Sequence, residues 1–266
     1  MSKNNIIIIS AFKSEIEFLL KRYNLKRISL IKEFSIYSDA KSSIYVAISG
    51  MGNLNMSNII GFLAGKNIIN KFSLIFNIGL AGSKNDKIGS IYRANKLSML
   101  NQKNNFYPLN IVPSAIKNKN LITTDYIIDY PEAELIDMEG YGFFAAASKF
   151  VLNEQITLLK IVSDNDMAQL NLVRQEVANN LTSLNENIIF SIIDEVKDFF
   201  ANYFKEISDA KEYDVLITEI KFSFSQKVIL KKILNKIGHN NIVLNLELLL
   251  KLNSGKKILA KLEEYV

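Results

Sequence analysis

The chain has no cysteine, no tryptophan, a single histidine (His239) and three prolines in 266 residues. Without cysteine there is no disulfide frame, no thiolate metal site and no thiol nucleophile. One histidine nearly excludes poly-histidine metal centres and histidine-based triads. His239, beside Gly238, reads as a helix-end or turn residue. Long apolar runs are missing as well. Ile6-Ile7-Ile8-Ile9 is too short for a signal-peptide core, and Leu248-Leu249-Leu250 is too short to span a bilayer. No membrane contact is expected, and the cytoplasm is the expected location. What is present is 48% hydrophobic and 22% charged, the balance of a globular chain long enough to bury a sizeable core.

The net charge of +5 is unevenly placed. Residues 221–266 carry nine Lys and three Glu, whereas the remainder carries 23 basic and 24 acidic side chains. The excess of positive charge therefore belongs to the tail, which argues against a nucleic-acid role for the whole chain. The composition shifts near Ser208. We expect a main domain over 1–207 and a basic, mostly helical C-terminal extension over 208–266. The apolar spacing of Val228, Ile229, Ile233, Leu234 and Ile237 reads as a helix with a buried stripe and a solvated lysine face. A protein-partner-binding or nucleic-acid-binding module is the other reading of this extension.

Apolar runs and turn residues give a coarse βα order. Strands are expected at 5–10, 30–38, 43–49, 73–77, 89–95, 121–123 and 156–162. Helices are expected at about 14–23, from Asn53 or Asn55 as cap to about Ala64, at 141–150, within 166–204, at 225–237 with Gly238 as C-cap, at 241–252 and at 256–265. Gly50-Met51-Gly52 reads as a tight turn, Asn77-Ile78-Gly79-Leu80-Ala81-Gly82 as a loop after a buried strand, and 98–120 as an Asn-rich loop region. This is an α/β pattern.

Two acidic signatures stand out. Ile136-Asp137-Met138-Glu139-Gly140 opens a small-residue helix, and Lys160-Ile161-Val162-Ser163-Asp164 closes an apolar strand. Carboxylates at a helix start and a strand end can converge at the edge of an α/β sheet, where open α/β folds bind small ligands. Simpler readings stand beside this one. Glu139 could serve only the helix dipole, Asp164 could be an N-cap, Glu15 a solvated first-turn residue, and Lys160 a surface lysine on its strand.

Six segments in order, over roughly residues 5–200, resemble the nucleoside phosphorylase/nucleosidase superfamily, and within it the methylthioadenosine/S-adenosylhomocysteine nucleosidases. They are Ile9-Ser10-Ala11-Phe12-Lys13-Ser14-Glu15, Ser49-Gly50-Met51-Gly52, Asn77 to Gly82, Lys87-Ile88-Gly89-Ser90-Ile91, Asp137-Met138-Glu139 and Ser163-Asp164. The resemblance implies a three-layer α/β domain with a central mixed, twisted sheet, plus the small helical appendage. It implies hydrolysis of the N-glycosidic bond of a purine nucleoside, of the 5′-modified adenosine type used in methionine salvage, in a homodimer with no cofactor and no metal.

By the same resemblance Asp164 acts as the acid toward purine N7, which needs a neutral carboxyl. Glu139 binds ribose hydroxyls and stabilises the cationic sugar, and Glu15 holds the water. Met51, Leu80, Ala81, Gly82, Asp137, Met138, Lys160 and Ser163 surround the substrate, with Ile127 and Ile128 at the base. Glu15 would repel phosphate, so hydrolysis is preferred to phosphorolysis. The chain departs from the family pattern at Leu80 (Ser in the family), at Lys160 (Arg) and in a short 96–125 region. A phosphorylase, a futalosine-type hydrolase, and a non-catalytic nucleoside-binding or partner-binding protein are the alternatives.

Overall fold

The computed structural model describes residues 5–28, 34–100, 102–126, 128–131, 134–166, 175–207, 211–239 and 242–265. The chain divides between Asp198 and Phe199 into two units. That division falls earlier than the composition change near Ser208.

The first unit is built on a nine-stranded mixed sheet in the order β2-β3-β4-β1-β5-β8-β7-β6-β9, with a further β5–β9 pairing. The strands are β1 (Ile6–Ser10), β2 (Lys26–Ile28), β3 (Ser35–Ser38), β4 (Ile44–Ile48), β5 (Leu74–Gly82), β6 (Ile91–Met99), β7 (Asn118–Thr123), β8 (Leu135–Asp137) and β9 (Ile156–Asp164). Strand β1 runs parallel to both β4 and β5. Such a central strand is covered on both faces and reads as one apolar run, and every residue from Ile6 to Ser10 is buried.

Strand β5 outruns β1. Its lower half pairs β1 from Leu74 to Asn77. From Ile75 to Gly82 it pairs β9, with a bulge between Ala81 and Gly82 that sets Gly82 opposite Asp164. Beyond β1, Gly82 also pairs Ile136 of β8. Strands β5, β8, β7, β6 and β9 thus close on themselves as a ring.

Helices α1 (Glu17–Arg22), α2 (Asn53–Gly65), α3 (Gly140–Ala147), α4 (Gln175–Leu184) and the start of α5 (Glu186–Ile207) flank the sheet. Met56, Ile59, Ile60 and Leu63 of α2 and Phe143, Phe144 and Ala147 of α3 share one core with Ile7, Ile9, Ile75, Leu158 and Val162. Alternation along a strand sends Phe76, Ile78, Leu159 and Ile161, all buried, to the opposite face. There α4 touches β9, α1 and the 3₁₀ turn Lys13–Glu15.

Several sequence expectations need correction. Residues Asn77 to Gly82 form strand, not loop, because β9 pairs their full length. Leu135–Asp137 is a short strand held by Thr123 and Gly82. Helix α2 has Gly52 at its N-cap. Asn53 Oδ1 instead accepts from the Gly142 amide, and the Asn55 side chain donates to the Met51 carbonyl.

The second unit, described by itself, is helical among its described residues. After the end of α5 come α6 (Lys211–Glu219), α7 (Phe224–His239), α8 (Leu246–Leu250) and α9 (Gly255–Glu263). Leu216, Leu230, Leu234, Leu249, Ile258 and Leu262 belong to its own apolar core. Gly238 lies inside α7 rather than capping it. No described helix is long and apolar enough to cross a membrane.

Candidate active site

Parallel strands β1, β5 and β9 end on one side of the sheet, and the segments leaving them surround a cavity of about 650 Å³. Ligand sites of α/β sheets form at such carboxyl ends because the chain there leaves the sheet and can carry polar groups. The turn after β1 contributes Ala11, Phe12, Ser14 and Glu15. The end of β5 contributes Leu80, Ala81 and Gly82, and the end of β9 contributes Ser163 and Asp164. Met51, Ile128, Asp137, Met138 and Glu139 complete most of the wall. Ile127 lies outside the described residues. Lys160 does not line the cavity.

Glu15 is held from both sides. Its Oε2 accepts from the Phe12 amide (2.8 Å) and its Oε1 from the Leu80 amide (3.0 Å). A carboxylate bound to backbone N–H groups is a fixed acceptor. Burial still pushes this carboxyl up, against those amides and the Lys160 charge. Gly79 lets the group approach: a Cβ there would stand 3.2 Å from Glu15 Oε1 and 3.3 Å from Lys160 Nζ.

Glu139 sits at the N-cap position of α3, yet its side chain does not cap that helix. Its Oε1 accepts from the Gly52 amide at 2.8 Å, which ties the cavity wall to the turn before α2. Gly52 has φ +97, a conformation that favours glycine. Burial, followed by the negative charge of Asp137, raises Glu139 to about 7.

The start of α3 is served by Asp137. Its Oδ2 accepts from the Gly140 amide (2.9 Å) and its Oδ1 from the Thr123 hydroxyl (2.7 Å). The same Oδ2 lies 2.8 Å from Lys160 Nζ. Lys160 is 1% exposed, so the surface reading of this lysine is wrong. Desolvation works against its charge, but Asp137, Glu139 and Glu15 together outweigh it and raise its pKa. The buried group therefore holds three carboxyls around one ammonium.

Asp164 is 1% exposed; the segment after Asp166, where a helix capped by it would begin, lies outside the described residues. Asp164 Oδ1 accepts from the Ser163 hydroxyl and its Oδ2 from the phenol of Tyr130. Tyr130 is a residue the sequence reading missed: it lies between Asp129 and Pro131 with no periodicity to mark it. Ser14, Gln175 and Ala178 also line the cavity and carried no individual signal.

No family model matches the chain, and no curated protein matches it. Solved structures do. A Helicobacter pylori MTAN mutant with 5′-methylthioadenosine in its active site is 16% identical, covering 72% of this chain and 99% of its own, with a TM-score of 0.61. A methylthioadenosine/S-adenosylhomocysteine nucleosidase from Colwellia psychrerythraea, in complex with adenine, is 12% identical over 73% of this chain and 96% of its own, with a TM-score of 0.60. The futalosine hydrolase of Helicobacter pylori is 17% identical over 72% and 98%, with a TM-score of 0.57. The chain has the fold of these nucleosidases.

Proposed function

We propose that this protein hydrolyses the N-glycosidic bond of a purine nucleoside, with a 5′-modified adenosine of the methylthioadenosine or S-adenosylhomocysteine type as substrate. The observation that carries this reading is the convergence of Glu15, Glu139 and Asp164 on one cavity. These carboxyls come from three strand ends far apart in sequence.

In this reading the C1′–N9 bond breaks and its electron pair passes to the purine. Asp164 delivers a proton to N7, which turns the base into a neutral leaving group. Glu139 accepts from the ribose hydroxyls and stabilises the oxocarbenium charge that develops at C1′. Glu15, fixed by the Phe12 and Leu80 amides, orients a water and takes its proton as oxygen bonds to C1′. No Lys or Arg is among the described residues lining the cavity. A phosphate nucleophile would face Glu15 with no cation to hold it, which favours water.

The test is chromatographic detection of free base from a nucleoside panel that includes futalosine, with and without phosphate. Phosphate-independent adenine release, lost in Asp164→Asn, supports the reading. Release only with phosphate makes the protein a phosphorylase. Release from futalosine alone assigns the other substrate class that shares this fold. No release from a folded protein overturns the catalytic reading and favours a nucleoside-binding role.

A further inference from the structure

Tyr130 occupies an unusual place in the cavity. Its ring lies so close to Gly82 that a Cβ on that residue would stand 2.4–2.8 Å from the ring carbons and hydroxyl. Its phenol donates to Asp164 Oδ2. Gly82 is paired directly with Asp164 across β5 and β9, so the ring and its hydrogen bond rest on one bulged step of the sheet. Tyr130 thereby brings to the end of β9 what a nucleobase would bring: the edge of an aromatic ring against a bare backbone and a polar group on the carboxylate. With Ser163 on the other oxygen, both oxygens of Asp164 are already engaged.

We propose that Tyr130 is a specificity-determining residue that competes with the nucleobase for Asp164. This rests on the nucleosidase reading of the cavity. A base must take over the seat on Gly82 and the Oδ2 contact together, so its apparent affinity is reduced by the fraction of molecules in which Tyr130 holds them. A bicyclic base that meets Asp164 with a ring N–H, or with a ring nitrogen that accepts the carboxyl proton, replaces both the Gly82 contact and a hydrogen bond. A pyrimidine, with a smaller face, regains less. The device selects for purines through what must be displaced, in addition to what is bound.

Tyr130→Phe keeps the ring and removes the donor. A hydrogen bond to a carboxylate outweighs one between neutral groups. Its loss should tighten binding of free adenine, measured by calorimetry, by about tenfold. On a hydrolysed nucleoside the gain in kcat/KM should be carried by KM, because the competitor leaves before the chemical step. A second readout is independent of any variant. Nitration of Tyr130 by tetranitromethane, mapped by peptide mass spectrometry, should rise when adenine saturates the protein.

Weaker adenine binding by Tyr130→Phe would show that the phenol reads the base directly and would overturn the proposal. Equal binding by both forms, or nitration that does not rise with adenine, would overturn it while leaving the nucleosidase reading intact. Absence of adenine binding in both forms would remove that reading and this inference with it.

Discussion

Lys160 Nζ stands 2.8 Å from Asp137 Oδ2, and both side chains are shut away from solvent. The pair joins the end of β8, where Asp137 lines the cavity, to the middle of β9, where Lys160 does not. Asp137 also receives the Thr123 hydroxyl and the Gly140 amide, so the ammonium is one of three donors fixing this carboxylate. A buried ion pair of this kind is weak evidence for net stability, but removing one partner strands the other. Lys160→Met should lower the unfolding free energy by about 3–5 kcal/mol, read from urea denaturation. Adding Asp137→Asn to it should recover part of the loss. Full additivity of the two changes would show that the residues do not depend on each other.

The pH response should centre on Glu139. Its folded pKa is raised to about 7, so between the ordinary carboxylate range and pH 7 the folded state binds more protons than the unfolded chain. Stability must then fall as pH rises through that window, by no more than about 3 kcal/mol. Glu139→Gln should flatten this slope in melting temperature against pH. If ribose hydroxyls need the anion, kcat/KM should show an acid limb near the same pH, and that limb should vanish in the variant.

Glu15→Gln tests the water-activating role proposed for this carboxyl. The substitution keeps one acceptor for the Phe12 and Leu80 amides but removes the base. Turnover should fall by about a hundredfold or more, while adenine binding measured by calorimetry should change little. A comparable loss of adenine affinity would indicate that Glu15 shapes the cavity rather than acting on water.

Glycine substitutions separate close packing from free surface. A Cβ at Gly142 would stand 2.7 Å from the Asn53 carbonyl oxygen and 2.9 Å from its Cα, whereas nothing lies within 4 Å at Gly61. Gly142→Ala must force α2 and α3 apart and should cost about 1–3 kcal/mol. Gly61→Ala, within the helix α2, should stabilise by up to about 1 kcal/mol. Thermal unfolding of both variants checks the pair.

The sequence was legible where one residue's chemistry decides its own place. The Ile6-Ile7-Ile8-Ile9 run could only be a covered strand, and β1 is one. The Gly50-Met51-Gly52 turn follows from two glycines, and both take positive φ. The spacing of acidic residues at Asp137, Glu139 and Asp164 was enough to nominate a cavity at the strand ends. Absence of cysteine and near-absence of histidine narrowed its chemistry to carboxyls before any geometry was known.

Other features depend on partners distant in the chain, and the tertiary structure alone decided them. Asn77 to Gly82 has the glycine content of a loop, but β9 pairs it from end to end. Its small residues let Glu15, Lys160 and Tyr130 close over the strand. Leu135–Asp137 is too short for any periodicity and becomes strand only because Thr123 and Gly82 lie beside it. Lys160, on an apolar strand, is an ordinary surface lysine until three buried carboxyls surround it. Tyr130 carried no signal, because a phenol's place on Asp164 depends on a bulge that brings Gly82 level with that residue. Local composition fixes which segments are buried and which side chains can react. Their convergence is set by strand register and by the desolvation of charges that must find each other once water is gone.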